Sequence, residues 1–290
     1  MQFNLALFDF ILKKGKRIYF YSQSIGPFWR WTTKKFLKKP LNKAGLVILR
    51  DAESFEHIKN LLGKKPDNIF ESADEAFTYK QPEFNKSGYN GHVGISVRDW
   101  NFSNSEYSSD IAMNNYKTNL KKTCEFLVDE YNYDITFIST CQGNKEYRDD
   151  SKLAVEIFDM IDSKYQKKIT VIRDYYTLDY LVDYFKHFDF FIGTRMHSII
   201  FNFLNLTPCL GIVYEFKTSE LFKRIGLDNY IFEMYSDDFD LLKTKIIHLI
   251  ENLEKITEQL SIEIPKLRNL ALNNMRLVKE DYYAQKQKKV

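Results

Sequence analysis

The sequence predicts an α/β chain of two domains, each built on a parallel sheet. Two observations carry this. From residue 92 onward, short and continuously apolar runs alternate with amphipathic segments, and a shorter stretch before residue 80 repeats the alternation less completely. Strands apolar on both faces and separated by helices belong in a sheet covered by helices on both sides. The pattern is Rossmann-like, although no GxGxxG loop is present.

In chain order, a helix over 3–14 leads to the strand "RIYFYSQS", then to "IGPFWRW" and a second helix. The strand "GLVILRD" precedes a helix over 52–62, which Gly63 closes as the residue after the last turn. "NIFESADEAF" reads as a short strand with a polar tip. Residues 80–91 are polar and hold Pro, Gly, Asn and Ser, the composition of a linker. The expected division is therefore an N-terminal Rossmann-like domain over 1–85 and a C-terminal one over 86–290 that includes the closing helices. The first opens on a helix and has few strands, so it reads as truncated, with strands missing upstream of Met1.

In the second domain, "HVGISVRDW" is a strand, and a helix over 116–131 puts Leu120, Cys124, Leu127 and Val128 on one face. "DITFISTCQG" is the next strand, and a helix over 149–164 has Asp149, Asp150 or Ser151 near its N-cap. "KITVIRDY", "TLDYLVDYFKHF", "DFFIGTR", "MHSIIFNFLNL" and "PCLGIVY" continue the alternation. The tail from about residue 237 is helical, and Pro265 is expected to break or kink it.

Composition bounds the function. With 290 residues, 44% hydrophobic content, 24 Phe and 19 Tyr, the chain can bury a sizeable core and is not a disordered protein. A net charge of +3 gives no global field for nucleic acid. Basic residues do gather at 13–17 and 34–39, where solvated helix ends account for them better than membrane docking. Cys124, Cys141 and Cys209 are an odd number with no CxxC pair, which argues against a disulfide framework or a zinc site. No apolar run reaches the ~18 residues a membrane span needs. The charge of the N-terminal segment follows its apolar part, the reverse of a signal peptide, so a cytoplasmic location is expected.

Ligands of parallel sheets bind beyond the carboxyl ends of the strands, so the polar residues there are the site candidates. In the first domain they are Ser22, Gln23 and Ser24, then Arg50 and Asp51, then Asp74. In the second they are Arg98 and Asp99, Thr140 and Gln142, Arg195 and His197, Tyr214 and Lys217. Three cations, Arg98, Arg195 and Lys217, suit a small and highly charged anion. Thr194 can cap a helix that begins about Arg195, whose first N–H groups and dipole favour an anion. His197, in the first turn, is the candidate acid or base. The aspartates of "DFD" at 238–240 read as an N-cap rather than a metal motif, and His57, His92, His187 and His248 read as structural. No residue cluster calls for a metal.

These residues resemble a known family. "GTRMHSIIFNFLNLTPCLGIVYEFK" is similar to the G-x-R-x-H-S…P…Y-x-x-K signature of polysaccharide pyruvyl transferases. "SQSIGPF", "LRDAES", "SADEAF" and "VGISVRDW" resemble that family's other blocks in the same order, over about residues 15–235. The chain departs from the pattern in lacking an N-x-G-D-like segment and in carrying Ser22 where the family has Gly. The resemblance implies a GT-B-like fold, with phosphoenolpyruvate as donor substrate, no further cofactor, and a pyruvate ketal placed on a sugar with release of phosphate. Arg98, Arg195 and Lys217 would hold the donor's carboxylate and phosphate, with His197 as acid/base. Met196, Ser198, Tyr214, Gln23 and Asp74 would also bind substrate. The acceptor would be a sugar of a cell-surface exopolysaccharide or its lipid-linked precursor, the latter bringing a transient inner-membrane association, and no nucleic acid. Two other readings stay open: a GT-B glycosyltransferase using a nucleotide sugar, and a shortened, inactive relative that acts as a binding protein.

Overall fold

The computed structural model describes residues 2–28, 31–63, 67–79, 88–100, 109–142 and 149–287. The chain separates into two units, Met1–Tyr79 with Pro265–Val290, and Lys80–Ile264.

The first unit runs α1 (Gln2–Lys13), β1 (Tyr19–Gln23), α2 (Trp31–Lys43), β2 (Leu46–Leu49), α3 (Ala52–Leu62) and β3 (Ile69–Glu71). Its strands pair in parallel in the order β1-β2-β3. Helix α2 buries Leu37 and Leu41, four residues apart, against Val47 and Leu49 of β2, Ile58 and Leu61 of α3, and Ile69 of β3. Helix α3 starts where the Asp51 carboxylate accepts from the Ser54 N–H at 2.7 Å. It ends where Gly63, at φ 71°, donates to the Lys59 carbonyl at 2.9 Å. The bounds and the closing Gly63 match the sequence reading, whereas Asp51, a site candidate there, serves as the cap. Ser22 has φ 50°, a conformation that favours glycine. Its buried hydroxyl accepts from the Glu75 N–H at 2.9 Å and donates to the Ala73 carbonyl at 3.2 Å. That gives a physical account of how serine serves where the family pattern has Gly.

The domain division expected from the sequence differs in one respect. Residues 265–287 pack with the first unit rather than the second. Arg17 donates to both Asp281 oxygens, at 2.6 and 2.5 Å, and Tyr19 donates to one of them at 2.8 Å. Ser72 donates to the Leu270 carbonyl at 2.9 Å, and Arg268 to the Phe77 carbonyl at 3.1 Å. These contacts are far apart in sequence, so no local pattern announces them. Of the expected linker over 80–91, residues 80–87 lie outside those described.

The second unit runs β4 (His92–Ser96), α4 (Ser109–Tyr131), β5 (Asp134–Phe137), α5 (Asp150–Met160), α6 (Ser163–Gln166), β6 (Ile169–Val171), α7 (Leu178–Phe185), β7 (Phe190–Gly193), α8 (Met196–Leu204), β8 (Cys209–Val213), α9 (Phe216–Arg224), β9 (Ile231–Glu233), α10 (Phe239–Glu251) and α11 (Leu253–Gln287), which continues into the first unit. All six strands are parallel, in the order β6-β5-β4-β7-β8-β9. Strands β7 and β8 are buried throughout and β4 from Val93 on, and Gly94 lets Phe188 and Phe191 lie directly on β4: a Cβ there would come within 2.5 Å of either ring.

Several boundaries move. The helix expected over 149–164 breaks at Ile161, because the Asp162 carboxylate accepts from the Lys164 N–H and starts α6. Strand β9 was not anticipated. Pro265 lies inside the continuous α11 and does not end it. Asp238 caps α10 by accepting from Leu241 N–H at 2.9 Å, as its sequence context indicated. All three cysteines are free thiols. Among the described residues no helix is long and apolar enough to cross a membrane.

His92 on β4 packs edge-on to Phe188, with ring centroids 4.9 Å apart, and its Nε2 lies 2.8 Å from Thr136 Oγ1. Burial lowers its pKa below 6.5, with Asp134 and Asp189 opposing. The unfolded chain therefore binds a proton more readily, and stability present above the unfolded value falls as pH drops through it. Unfolding free energies at about pH 7.5 and about pH 5.5 should differ more for the wild type than for His92→Asn. Equal losses would show that His92 does not titrate with folding.

Candidate active site

Strand order reverses direction at β4, which pairs with β5 on one side and β7 on the other. The chain leaves β4 toward β5 and β6 and then crosses back to β7, so the loops after β4 and β7 part there. Such a switch point, beyond the carboxyl ends of the strands, is where open parallel sheets hold ligands. Ser96, the last residue of β4, is level with Gly193, the last of β7. Its hydroxyl accepts from the N–H groups of Thr194 and Arg195, at 3.2 and 3.4 Å. From α4, the buried Tyr116 hydroxyl accepts from Arg98 N–H at 3.3 Å and pairs with Thr194 Oγ1 at 2.7 Å. Burial pushes this phenol far above its ordinary value, so it stays neutral. Two loops remote in sequence are thereby tied together.

Arg195 sits at the N-cap of α8 with no side-chain cap bond. Thr194, expected to cap, spends its hydroxyl on Tyr116 instead. The Arg195 guanidinium grips Asp150, the first residue of α5, through Nε at 2.8 Å and Nη2 at 2.5 Å. Asp150 is almost wholly buried, and Ser139 donates to it at 2.6 Å. Burial pushes the Asp150 carboxyl up, opposed by the bonds from Arg195 and Ser139. Burial also works against the Arg195 charge, yet the bonds to Asp150 outweigh it and hold the guanidinium above its ordinary value.

Arg98 is held differently. Its guanidinium lies over the Trp100 ring at 4.6 Å and the Tyr214 ring at 4.7 Å, and it donates to the Tyr214 hydroxyl. Its Nε is buried with no acceptor among the described residues. Burial raises the Tyr214 phenol to about 12, with Arg98 opposing. Lys217, in the first turn of α9, is half-buried and meets the Glu215 carboxylate at 3.3 Å. His197 is exposed in the first turn of α8, and Met196 beside it is partly buried.

The structure thus links the loops after β4, β5, β7 and β8 through named contacts, and Arg98 with Arg195 both act on the Asp150 carboxyl. Ser198 is placed otherwise than expected. It is fully buried, and its hydroxyl accepts from Thr140 N–H at 3.3 Å, so it positions the loop after β5 rather than facing a ligand. Gln142 accepts from Ser139 N–H at 2.7 Å and serves that same loop. Gln23 and Asp74 belong to the first unit. Gln23 is exposed and donates to Tyr21 O at 3.0 Å, whereas Asp74 is ion-paired with Arg50, whose Nε also donates to Ser24 at 2.7 Å.

Asp150, Tyr116, Ser139 and Trp100 were not among the candidates. Asp150 had a legible signal, a second acid beside the cap residue Asp149, but nothing local tied it to an Arg 45 residues away. Among the described residues no group of three or more His, Cys, Asp or Glu could hold a metal ion.

Residues 2–215 match the family described as polysaccharide pyruvyl transferase. The chain belongs to that family. It is 25% identical over 286 residues to the amylovoran biosynthesis protein AmsJ of Erwinia amylovora, covering 93% of this chain and 66% of that protein. The chain thus spans just under two thirds of this relative's length. Among solved structures it resembles a putative UDP-N-acetylglucosamine 2-epimerase from Listeria monocytogenes, with TM-score 0.64 and 11% identity over 97% of this chain and 72% of that one. It also resembles a UDP-forming α,α-trehalose-phosphate synthase from Burkholderia vietnamiensis, with TM-score 0.62 and 10% identity over 97% and 73%. At such identities the likeness establishes the fold, which is GT-B-like as expected.

Removing one partner of a buried ion pair leaves the other uncompensated, at a cost of about 3–5 kcal/mol. Arg195→Ala should lose about that much in urea unfolding, and Asp150→Asn added to it should restore part of the loss. A double variant no more stable than the single one would mean the pair is not what stabilises this loop.

Proposed function

We propose that the protein transfers pyruvate from phosphoenolpyruvate to a sugar of a cell-surface polysaccharide or its lipid-linked precursor, forming a ketal and releasing phosphate. The observation that carries this reading is the set Arg98, Arg195, His197 and Lys217 at the carboxyl ends of β4, β7 and β8, in a chain of the pyruvyl transferase family. The relation to a protein of amylovoran biosynthesis supports a polysaccharide as the acceptor class.

The residue types suit the chemistry. Phosphoenolpyruvate carries a carboxylate and a phosphate on one carbon, C2, and planar Arg with point-charge Lys complements both. The cations would stabilise charge gathering on the departing phosphate. A first sugar hydroxyl adds to C2, and its proton is balanced by the one His197 delivers to the methylene carbon, which becomes the methyl group. The C2–O bond to phosphate then breaks, a neighbouring hydroxyl closes the ketal at C2, and its proton leaves with the phosphate. A nucleotide-sugar glycosyltransfer remains the second reading, because the neighbours of this fold include a UDP-forming synthase.

Thermal denaturation against rising phosphoenolpyruvate tests the donor. A ligand bound only by the folded state at ~100 times its Kd adds about 2.7 kcal/mol. The shift should occur for the wild type and shrink for Lys217→Ala, whose half-exposed side chain can be removed without opening the core. A shift from uridine nucleotides and none from phosphoenolpyruvate would instead support glycosyltransfer.

With a sugar acceptor supplied, His197→Ala should lower phosphate release by ~10²-fold or more. Near-normal release would remove His197 from the acid–base role.

A further inference from the structure

Charge is distributed very unevenly along this chain. Residues 1–45 hold ten basic residues and one acidic residue, whereas the whole chain is only +3. The rest of the molecule is therefore net acidic, and the excess positive charge belongs to α1, α2 and the turns beside them. Those helices pack against each other in the first unit.

Helix α2 is two-faced. Leu37, Pro40 and Leu41 enter the core, while Lys34, Lys35, Lys38, Lys39 and Lys43 are exposed. Interspersed with those lysines are large apolar side chains that the described residues leave uncovered: Trp31 is 70% exposed and Phe36 57%. On α1, Phe10 is 58% exposed and Leu7 45%, followed by exposed Lys13, Lys14 and Lys16. Lys35 Nζ lies 5.9 Å from the Trp31 ring centroid, and Lys14 Nζ lies 5.7 Å from that of Phe10. Beside this face, Lys34, Lys38, His57 and Asn60 line a cleft of about 390 Å³ with Phe28 and Leu61 at its wall.

Solvated helix ends account for the lysines alone, but not for the exposed rings among them, and we propose that the α1–α2 face docks the protein on an anionic phospholipid surface. Aromatic rings flanked by lysines are the side chains that settle at a membrane interface, rings among the upper acyl chains and ammonium groups at headgroup level. The lysine-lined cleft seats a headgroup phosphate. At 13 residues and so rich in lysine, α2 lies on such a surface and does not span it. Duplex nucleic acid would meet the same charge but leaves Trp31, Phe36, Phe10 and Leu7 without a use, so the lipid surface is the occupant the exposed apolar residues favour. The inference stands apart from the donor chemistry and does not depend on it.

Sedimentation of the full-length protein with vesicles decides it. Vesicles of phosphatidylcholine with roughly one-third phosphatidylglycerol should carry the protein down at ~0.1 M salt, and pure phosphatidylcholine should carry far less. Each lysine near an anionic surface is worth about 1 kcal/mol, or about fivefold, so Lys35→Glu with Lys38→Glu should weaken binding at least tenfold. Trp31→Ser with Phe36→Ser should weaken it too, and should leave a residue of binding that about 1 M salt abolishes. Unchanged melting temperatures for both variants would tie the losses to the surface. Equal sedimentation with neutral and anionic vesicles, or none with either, overturns the proposal. So does a duplex DNA oligonucleotide that binds more tightly than the anionic vesicles.

Discussion

Everything that positions the candidate site depends on the parallel pairing of β4 with both β5 and β7. That pairing brings the carboxyl ends of the strands to one edge and parts the loops at a single place. It requires close packing over the central strands, which Gly94 and Gly193 permit by admitting Phe188, Phe191 and Ile199 onto the sheet. Once Ser96 is level with Gly193, one serine hydroxyl meets the N–H groups that open the next loop. The site edge is thus a consequence of sheet register before any functional side chain is considered.

Two arginines at that edge are held by different physics. Arg195 is fixed by a buried carboxylate with bidentate geometry, which defines its orientation and compensates its charge. An incoming anion would share it with Asp150 and bind the remaining guanidinium donors. Arg98 is held by aromatic faces and one phenol, which attract the cation without neutralising it. The buried Nε of Arg98 has no acceptor among the described residues. A site that ties one arginine to a carboxylate and holds the other between aromatic rings can order its loops and still offer guanidinium donors to a ligand.

The first unit divides its labour by helix face. The same 13 residues of α2 close the core with Leu37, Pro40 and Leu41 and carry a lysine-rich outer face. At the strand tips, Ser22, Ser24, Arg50, Asp51 and Asp74 form a network in which most polar atoms already have protein partners. Asp74 in particular is committed to Arg50 and to capping the turn at Glu75–Thr78.

The sequence by itself determined the class of fold, because apolar runs with helical spacers admit few arrangements other than covered parallel sheets. It also determined the caps at Gly63 and Asp238, since capping is a contact across only a few residues. It named Arg98, Arg195, His197 and Lys217, because strand ends can be read from local pattern. Tertiary structure decided what each of them touches. That Arg195 meets Asp150, that Tyr116 joins two loops, that Ser198 is spent on Thr140, and that residues beyond Pro265 return to the first unit all depend on contacts between residues far apart in sequence. Such pairings are set by the packing of whole elements, which hydrophobic periodicity does not encode.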